Sequence, residues 1–143
     1  MLTETGVQGL FGYKLKKTQH ALRLAMDDAL ISIDLTTPQY SVLAQLELHP
    51  GISNASLARA SFISPQTMHK IVSNLEQRNL IERKKNSFNN KILCTELTEK
   101  GQELVKNAHF VIKAIELRML STIGKDRRCV FEKLLLECFN NLQ

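Results

Sequence analysis

A chain of 143 residues, 43% hydrophobic and 23% charged, can bury one ordinary core, which excludes a disordered tail and removes any need for a disulfide staple or a structural metal. Its formal charge of +5 is carried entirely between Arg59 and Lys91, where seven basic residues stand against two acidic ones, a distribution expected of a polyanion-binding surface or of an ordinary cationic face. No run approaches the roughly 18 apolar residues of a membrane span, Met1-Leu2-Thr3-Glu4 lacks the make-up of a secretory signal, and Cys94, Cys129 and Cys138 are too widely spaced for a zinc site; the expectation is a cytoplasmic protein without cofactor, metal or membrane association.

Along the chain, residues from about Gly9 to Ile33 read as one long helix, with Leu10, Leu15, Leu22, Met26 and Leu30 at helical spacing on a face too wide for a solitary surface helix. Thr37-Pro38 marks a restart, Thr37 as cap and Pro38 at the first helical position, and this second helix stops at His49-Pro50-Gly51. Ser53 is placed to cap a short helix through Leu57 to Ala60. Ser64-Pro65 repeats the same start signal for a helix running to about Gln77. In that helix Met68, Ile71, Val72 and Leu75 fall on one side, with Gln66, Thr67, His69, Lys70 and Asn74 on the other.

Two short helices separated by four residues make a helix-turn-helix. Leu80–Lys84 and Ile92–Leu97 are strand-like and bracket a polar loop rich in Asn, so a hairpin wing is expected to follow. Thr98 caps another helix to about Ile123, within which Gly101 is tolerated at some cost in propensity, and Gly124-Lys125-Asp126 breaks it before a last helix carrying Val130, Phe131, Leu134, Leu135, Leu136, Phe139 and Leu142. The fold class expected is mainly α with a small β-hairpin. Residues 1–143 form a single domain, in which 35–98 are a winged helix-turn-helix and 9–33 and 99–142 a helical dimerisation part. The terminal stripes are most simply buried against a second copy, a homodimer, with a four-helix bundle from one chain as the competing explanation.

Base and phosphate contacts are expected from side chains that such a module would present. Gln66 suits a bidentate contact with adenine, Thr67 a phosphate or thymine methyl, and Lys70 guanine or phosphate; His69 shares the face, and Ser64 joins its capping role to that of a phosphate donor. Arg83, Lys84, Lys85 and Lys91 converge at the hairpin as phosphate contacts, with Asn89 and Asn90 in its loop. Ser53 and Asn54 add a candidate phosphate contact at the preceding helix start.

Thr37-Pro38-Gln39-Tyr40-Ser41-Val42-Leu43, Leu57-Ala58, Ser64 to Arg83 and Leu97-Thr98-Glu99-Lys100-Gly101 together resemble the MarR (multiple antibiotic resistance regulator) family over about residues 9 to 141. The resemblance implies a triangular homodimer that sets two winged modules on successive major grooves of a pseudo-palindromic double-stranded operator. It further implies a repressor, less often an activator, released by a small phenolic or aromatic effector or by an oxidant. The wing departs from the pattern: Ser87-Phe88-Asn89-Asn90-Lys91 stands where many members have an Asp and paired arginines, so the forked contact of arginine is missing there. Asn79 stands where a glycine is common and suits a left-handed helix end.

By the same resemblance, Tyr13, Lys17, His20 and Tyr40 are candidate linings of an effector pocket where the first helix, the helix beginning at Pro38 and the one after Gly101 meet the winged module. A thiol-based redox regulator would instead use Cys94 behind the basic wing or Cys129 beside Arg127 and Arg128, although inert thiols are the simpler expectation. A winged-helix adaptor that contacts protein and binds no specific DNA is the other competing reading. An enzyme is not expected, because the sequence offers no paired carboxylates, phosphate loop, metal-ligand spacing or nucleophile beside a base.

Overall fold

A computed structural model describes residues 6–85, 88–89 and 93–143. Among them the helices are α1 (Phe11–Leu30), α2 (Thr37–Leu48), α3 (Asn54–Ala60), α4 (Pro65–Gln77), α5 (Glu99–Met119) and α6 (Lys125–Asn140), with a 3-10 turn at each end of α1, Val7–Gly9 and Ile31–Ile33. The strands β1 (Ile52–Ser53), β2 (Ile81–Lys85) and β3 (Leu93–Leu97) form an antiparallel sheet in the order β1-β3-β2. β2 and β3 make the hairpin expected from sequence, paired from Ile81 opposite Leu97 to Lys85 opposite Leu93. β1 was not expected; it pairs Ile52 with Thr95 and Ser53 with Cys94, closing the sheet behind the hairpin.

Local chemistry sets the boundaries. α2 is capped by Thr36, not Thr37: Thr36 is extended, its hydroxyl accepts from the Gln39 amide, and the Gln39 side chain accepts from the Thr36 amide in return. Thr37 cannot serve because its amide and hydroxyl both donate to Asp27 of α1, a contact that ties the first helix to the second. Ser53, Ser64 and Thr98 cap α3, α4 and α5 as read from sequence. α5 ends at Met119, four residues before the predicted stop, and Gly124 is the residue preceding α6.

Asp34, Phe62 and Asn79 take left-handed backbone conformations, each within two residues of the end of a helical segment. Asn79 is therefore the left-handed helix end that its position suggested. Immediately beyond it, the Thr98 hydroxyl donates to the Asn79 carbonyl, fastening the end of α4 to the start of α5. Gly101 is not merely tolerated. A side chain there would put its first carbon 2.0 Å from the Leu80 carbonyl oxygen, so the close passage of α5 over the start of β2 requires a glycine.

The core lies inside the winged part and where α5 covers it. Val42, Leu43 and Leu46 of α2, Leu57 of α3, Met68, Val72 and Leu75 of α4, and Val105, Ala108 and Ile112 of α5 are buried together with Leu30 and Leu80. Burial of each larger aliphatic side chain contributes roughly 2 kcal/mol. The ends of the chain behave differently: Val130, Phe131, Leu134, Leu135, Leu136, Phe139 and Leu142 are 38–86% exposed, and Leu10, Phe11 and Leu15 of the first helical region are exposed as well. Among the described residues α6 has no substantial packing against another element of its own chain, which does not fit a four-helix bundle made by one chain.

Candidate nucleic-acid interface

α4 presents the polar face that its spacing predicts. Met68, Val72 and Leu75 are buried and Ile71 is half-buried, while Gln66, Thr67, His69, Lys70 and Asn74 are exposed. At its start the Ser64 hydroxyl accepts from the Thr67 amide at 3.3 Å and donates to the Thr67 hydroxyl at 3.0 Å, which holds both side chains at the first turn. Gln66, His69 and Lys70 project beyond that turn. Asn74 accepts from the Gln39 side-chain amide of α2 at 2.9 Å, which fixes the C-terminal part of the helix to α2.

The hairpin's charges are organised differently from the sequence expectation. Arg83 directs its guanidinium at Glu76 of α4 through two hydrogen bonds and is only 26% exposed at its side chain. The arginine's hydrogen bond holds the Glu76 carboxyl below the ordinary glutamate range, and the carboxylate in turn raises Arg83. Lys84 lies between Glu82 at 3.1 Å and Glu96 at 3.2 Å, and its ammonium is held charged by hydrogen bonds to these two carboxylates. Two of the four predicted hairpin cations thus have carboxylate partners within the protein, Arg83 half-buried and Lys84 at the exposed surface. Their carboxylate partners lie seven and twelve residues away, or directly alternate along the strand, and a count of basic residues does not see such pairing. Lys85 is exposed at the end of β2 and Asn89 is exposed in the loop; Asn90 and Lys91 lie outside the described residues.

Ser53 and Asn54 are drawn into structural roles. The Ser53 hydroxyl accepts from the Ser56 amide, and the Asn54 carboxamide oxygen accepts from the hydroxyl of Thr95, which is fully buried beneath the sheet. Arg59, one turn further along α3, is exposed and donates to Ser56 at 3.0 Å. A shallow groove of about 490 Å³ opens between α3 and α4, bordered by Arg59, Phe62 and His69.

The four candidate effector residues are not gathered in one place within the chain. Tyr40 sits between α2 and α5, its hydroxyl 2.8 Å from Nδ1 of His109, whose Nε2 is 2.6 Å from Glu47. Since a carboxylate only accepts, Nε2 carries the proton toward Glu47 and, on a neutral ring, Nδ1 accepts from the tyrosine. Burial, followed by the carboxylates of Glu116 and Glu47, raises the Tyr40 hydroxyl above its ordinary value. Tyr13 lies fourteen residues before Asp27, the point where α1 meets the start of α2, and that is about 21 Å of helix. Lys17 and His20 are exposed on the same outlying stretch. His109 is the partner that sequence reasoning missed, because 69 residues separate it from Tyr40 and no local spacing records the pair.

The cysteines gain no basic neighbour from Arg128. Its guanidinium turns back to the carbonyls of Ile123 and Leu120 at 2.8 and 2.9 Å, closing the end of α5, while Cys129 is exposed and Cys94 is half-buried in β3. Among the described residues no group of His, Cys, Asp and Glu side chains could hold a metal ion, and no helix is long and apolar enough to cross a membrane.

Comparison with known proteins gives three consistent findings. The family model described as the MarR family matches residues 35–93. The HTH-type transcriptional repressor Rv2887 of Mycobacterium tuberculosis is similar at 31% identity over 124 residues, 87% of this chain and 89% of the repressor. Solved structures of Rv2887 superpose on this fold: its complex with salicylic acid at 29% identity and a TM-score of 0.77, covering 90% of this chain and 96% of that one, and its complex with DNA at 28% identity and the same TM-score, covering 90% and 97%.

Proposed function

The chain belongs to the MarR family, and from that premise we propose that two copies of it grip a pseudo-palindromic DNA duplex and repress transcription from it until a small aromatic or phenolic acid loosens the grip. One observation carries the reading: α4 buries Met68, Val72 and Leu75 beneath it and turns Gln66, Thr67, His69 and Lys70 outward as one polar face. A helix so mounted fits the major groove, with Gln66 matched to adenine, Lys70 to guanine or phosphate, and Ser64 and Thr67 to the backbone at the helix start. Lys85 and Asn89, with Asn90 and Lys91 of the same loop, serve the wing. Arg83 and Lys84 act through the shape of the hairpin rather than as phosphate contacts, since their cations already face Glu76, Glu82 and Glu96.

Residues 35–98 form the DNA-binding part in this reading, and 9–33 with 99–142 the dimerisation part. The exposed apolar side chains of α6 and of the start of α1 support the second assignment, because a stripe of that size is stable in water only when covered. The protein works in the cytoplasm, on the chromosome, with no catalytic step of its own. Release by an aromatic acid is supported by the relative solved with salicylic acid. Tyr40 and His109 are placed to transmit it, as they join the winged part to α5.

The test is a fluorescence anisotropy titration against a duplex chosen by the protein from a randomised pool, repeated at several salt concentrations and with salicylate. Tight binding to that duplex, weakening with salt and with salicylate, is the expected result. Affinity no greater than for random duplex overturns the regulator reading and leaves a protein-binding winged helix; specific binding indifferent to salicylate overturns release by this ligand class.

A further inference from the structure

Phe62 is a residue that the packing of the fold does not explain. It is 90% exposed, so its ring contributes almost nothing to the core. Its backbone sits at a φ of 54°, in the left-handed region, where it ends α3: the Phe62 amide donates to the Arg59 carbonyl at 3.2 Å and the Ile63 amide to that of Ala58 at 3.0 Å. Glycine or asparagine fills such a helix end without penalty, and this chain places asparagine at the equivalent end of α4, Asn79, and aspartate at Asp34. A bulky aromatic at that position is unfavourable for the backbone and leaves a large apolar surface in water.

The surroundings show what the ring faces. Phe62 borders the groove between α3 and α4, whose floor includes Ala58, Ile63 and Pro65 and whose rim carries Arg59 and His69. The same turn leads two residues later into Ser64, the cap of α4, so the ring stands beside the face assigned to DNA. An apolar ring flanked by cationic and polar groups suits a polyanion that carries an apolar group within reach. In a DNA major groove the one apolar group on the base edges is the C5-methyl of thymine.

We propose that Phe62 is a specificity-determining residue that lays its ring on the C5-methyl of a thymine in the major groove beside α4, while Arg59 faces the neighbouring phosphates. The proposal rests on the DNA-binding reading above and adds to it an apolar base contact made from the turn before α4 rather than from α4 itself. The ring is held out at the cost of an unfavourable backbone so that it meets a base instead of the core.

The experiment compares the full-length protein with Phe62→Gly, Phe62→Asn and Phe62→Leu on the duplex that the wild type selects from a randomised pool. A parallel set of duplexes carries deoxyuridine at each thymidine in turn, which removes only the methyl group. The glycine and asparagine variants should melt at or above the wild type and bind the selected duplex roughly tenfold more weakly. The leucine variant should fall between. At one thymidine, replacement by deoxyuridine should weaken the wild type and leave Phe62→Gly nearly unchanged, as two partners of one contact must. Unchanged affinity in Phe62→Gly overturns the contact, and so does an equal loss on every duplex, random ones included, which makes the ring a backbone contact. A wild type that selects no duplex at all overturns the DNA-binding reading itself, a result distinct from either.

Discussion

Arg83 and Glu76 are joined by two hydrogen bonds, Nε to Oε2 and Nη2 to Oε1, the second at 3.2 Å, and this pair fixes the first strand of the hairpin to the last turn of α4. The wing and the helix beside it therefore share one rigid attachment, made by a residue that a charge count assigns to DNA. Because the pair is partly exposed, its worth is at most about 1 kcal/mol.

The pH dependence of that pair has a definite sign. The Glu76 carboxyl is depressed below its ordinary value of 4.5 by Arg83, so its contribution is fully present above that value and is lost as pH falls through the lower value in the folded protein. Glu76→Gln should lower the melting temperature slightly at neutral pH, and the difference from the wild type should vanish in strongly acidic buffer. Thermal melts of the two proteins from pH 7 downward check it; a difference that grows on acidification contradicts it.

Salt dependence separates cations that touch phosphate from those spent inside the protein. Lys70→Ala and Lys85→Ala, both at exposed positions, should each reduce the slope of log affinity against log salt by roughly 0.9. Arg83→Met and Lys84→Met should weaken binding with a much smaller change in slope, since Glu76 and the Glu82–Glu96 pair already compensate them. Anisotropy titrations between roughly 50 and 200 mM salt measure all four.

Gly101→Ala tests the packing of α5 on β2. The added carbon would lie 2.0 Å from a backbone oxygen, which cannot swing aside as a flexible side chain would. The expected loss is about 3 kcal/mol of stability, measured by denaturant unfolding. A loss near that of an exposed helical substitution would show that α5 can slide away from Leu80.

Tyr40→Phe removes the hydroxyl that meets His109 and should destabilise the protein by about 1 kcal/mol. With the Tyr40 hydroxyl raised above 10.0 chiefly by burial, its contribution holds below that pH and is lost as pH rises through the higher folded value. Denaturant unfolding of both proteins at neutral pH and in alkaline buffer checks the magnitude and the sign.

What could be read in the sequence was what depends on neighbours along the chain. α4 runs from Pro65 to Gln77 as its cap, proline and apolar spacing indicated, and Asn79 adopts the left-handed end that its position suggested. The cap of α2 moved by one residue because Asp27, ten positions away, occupies Thr37 and leaves Thr36 to serve. Strand β1 escaped notice because two residues carry no alternation. Gly101 read as a weakness in a helix, since only the passage of Leu80 behind it shows the need. Long-range pairing likewise gives Arg83 and Lys84 carboxylate partners, and Tyr40 its partner His109, that no local spacing records.

The proposed function requires two α4 helices to reach one duplex together, from a dimer that we propose is held by the exposed stripe of α6. The direct measurement is affinity for the selected duplex as its two half-sites are moved apart by about five base pairs, half a helical turn, which puts them on opposite faces. Specific affinity should collapse to that of random duplex, with two chains bound per intact site. Undiminished binding to the displaced half-sites, or to one half-site alone, would contradict it.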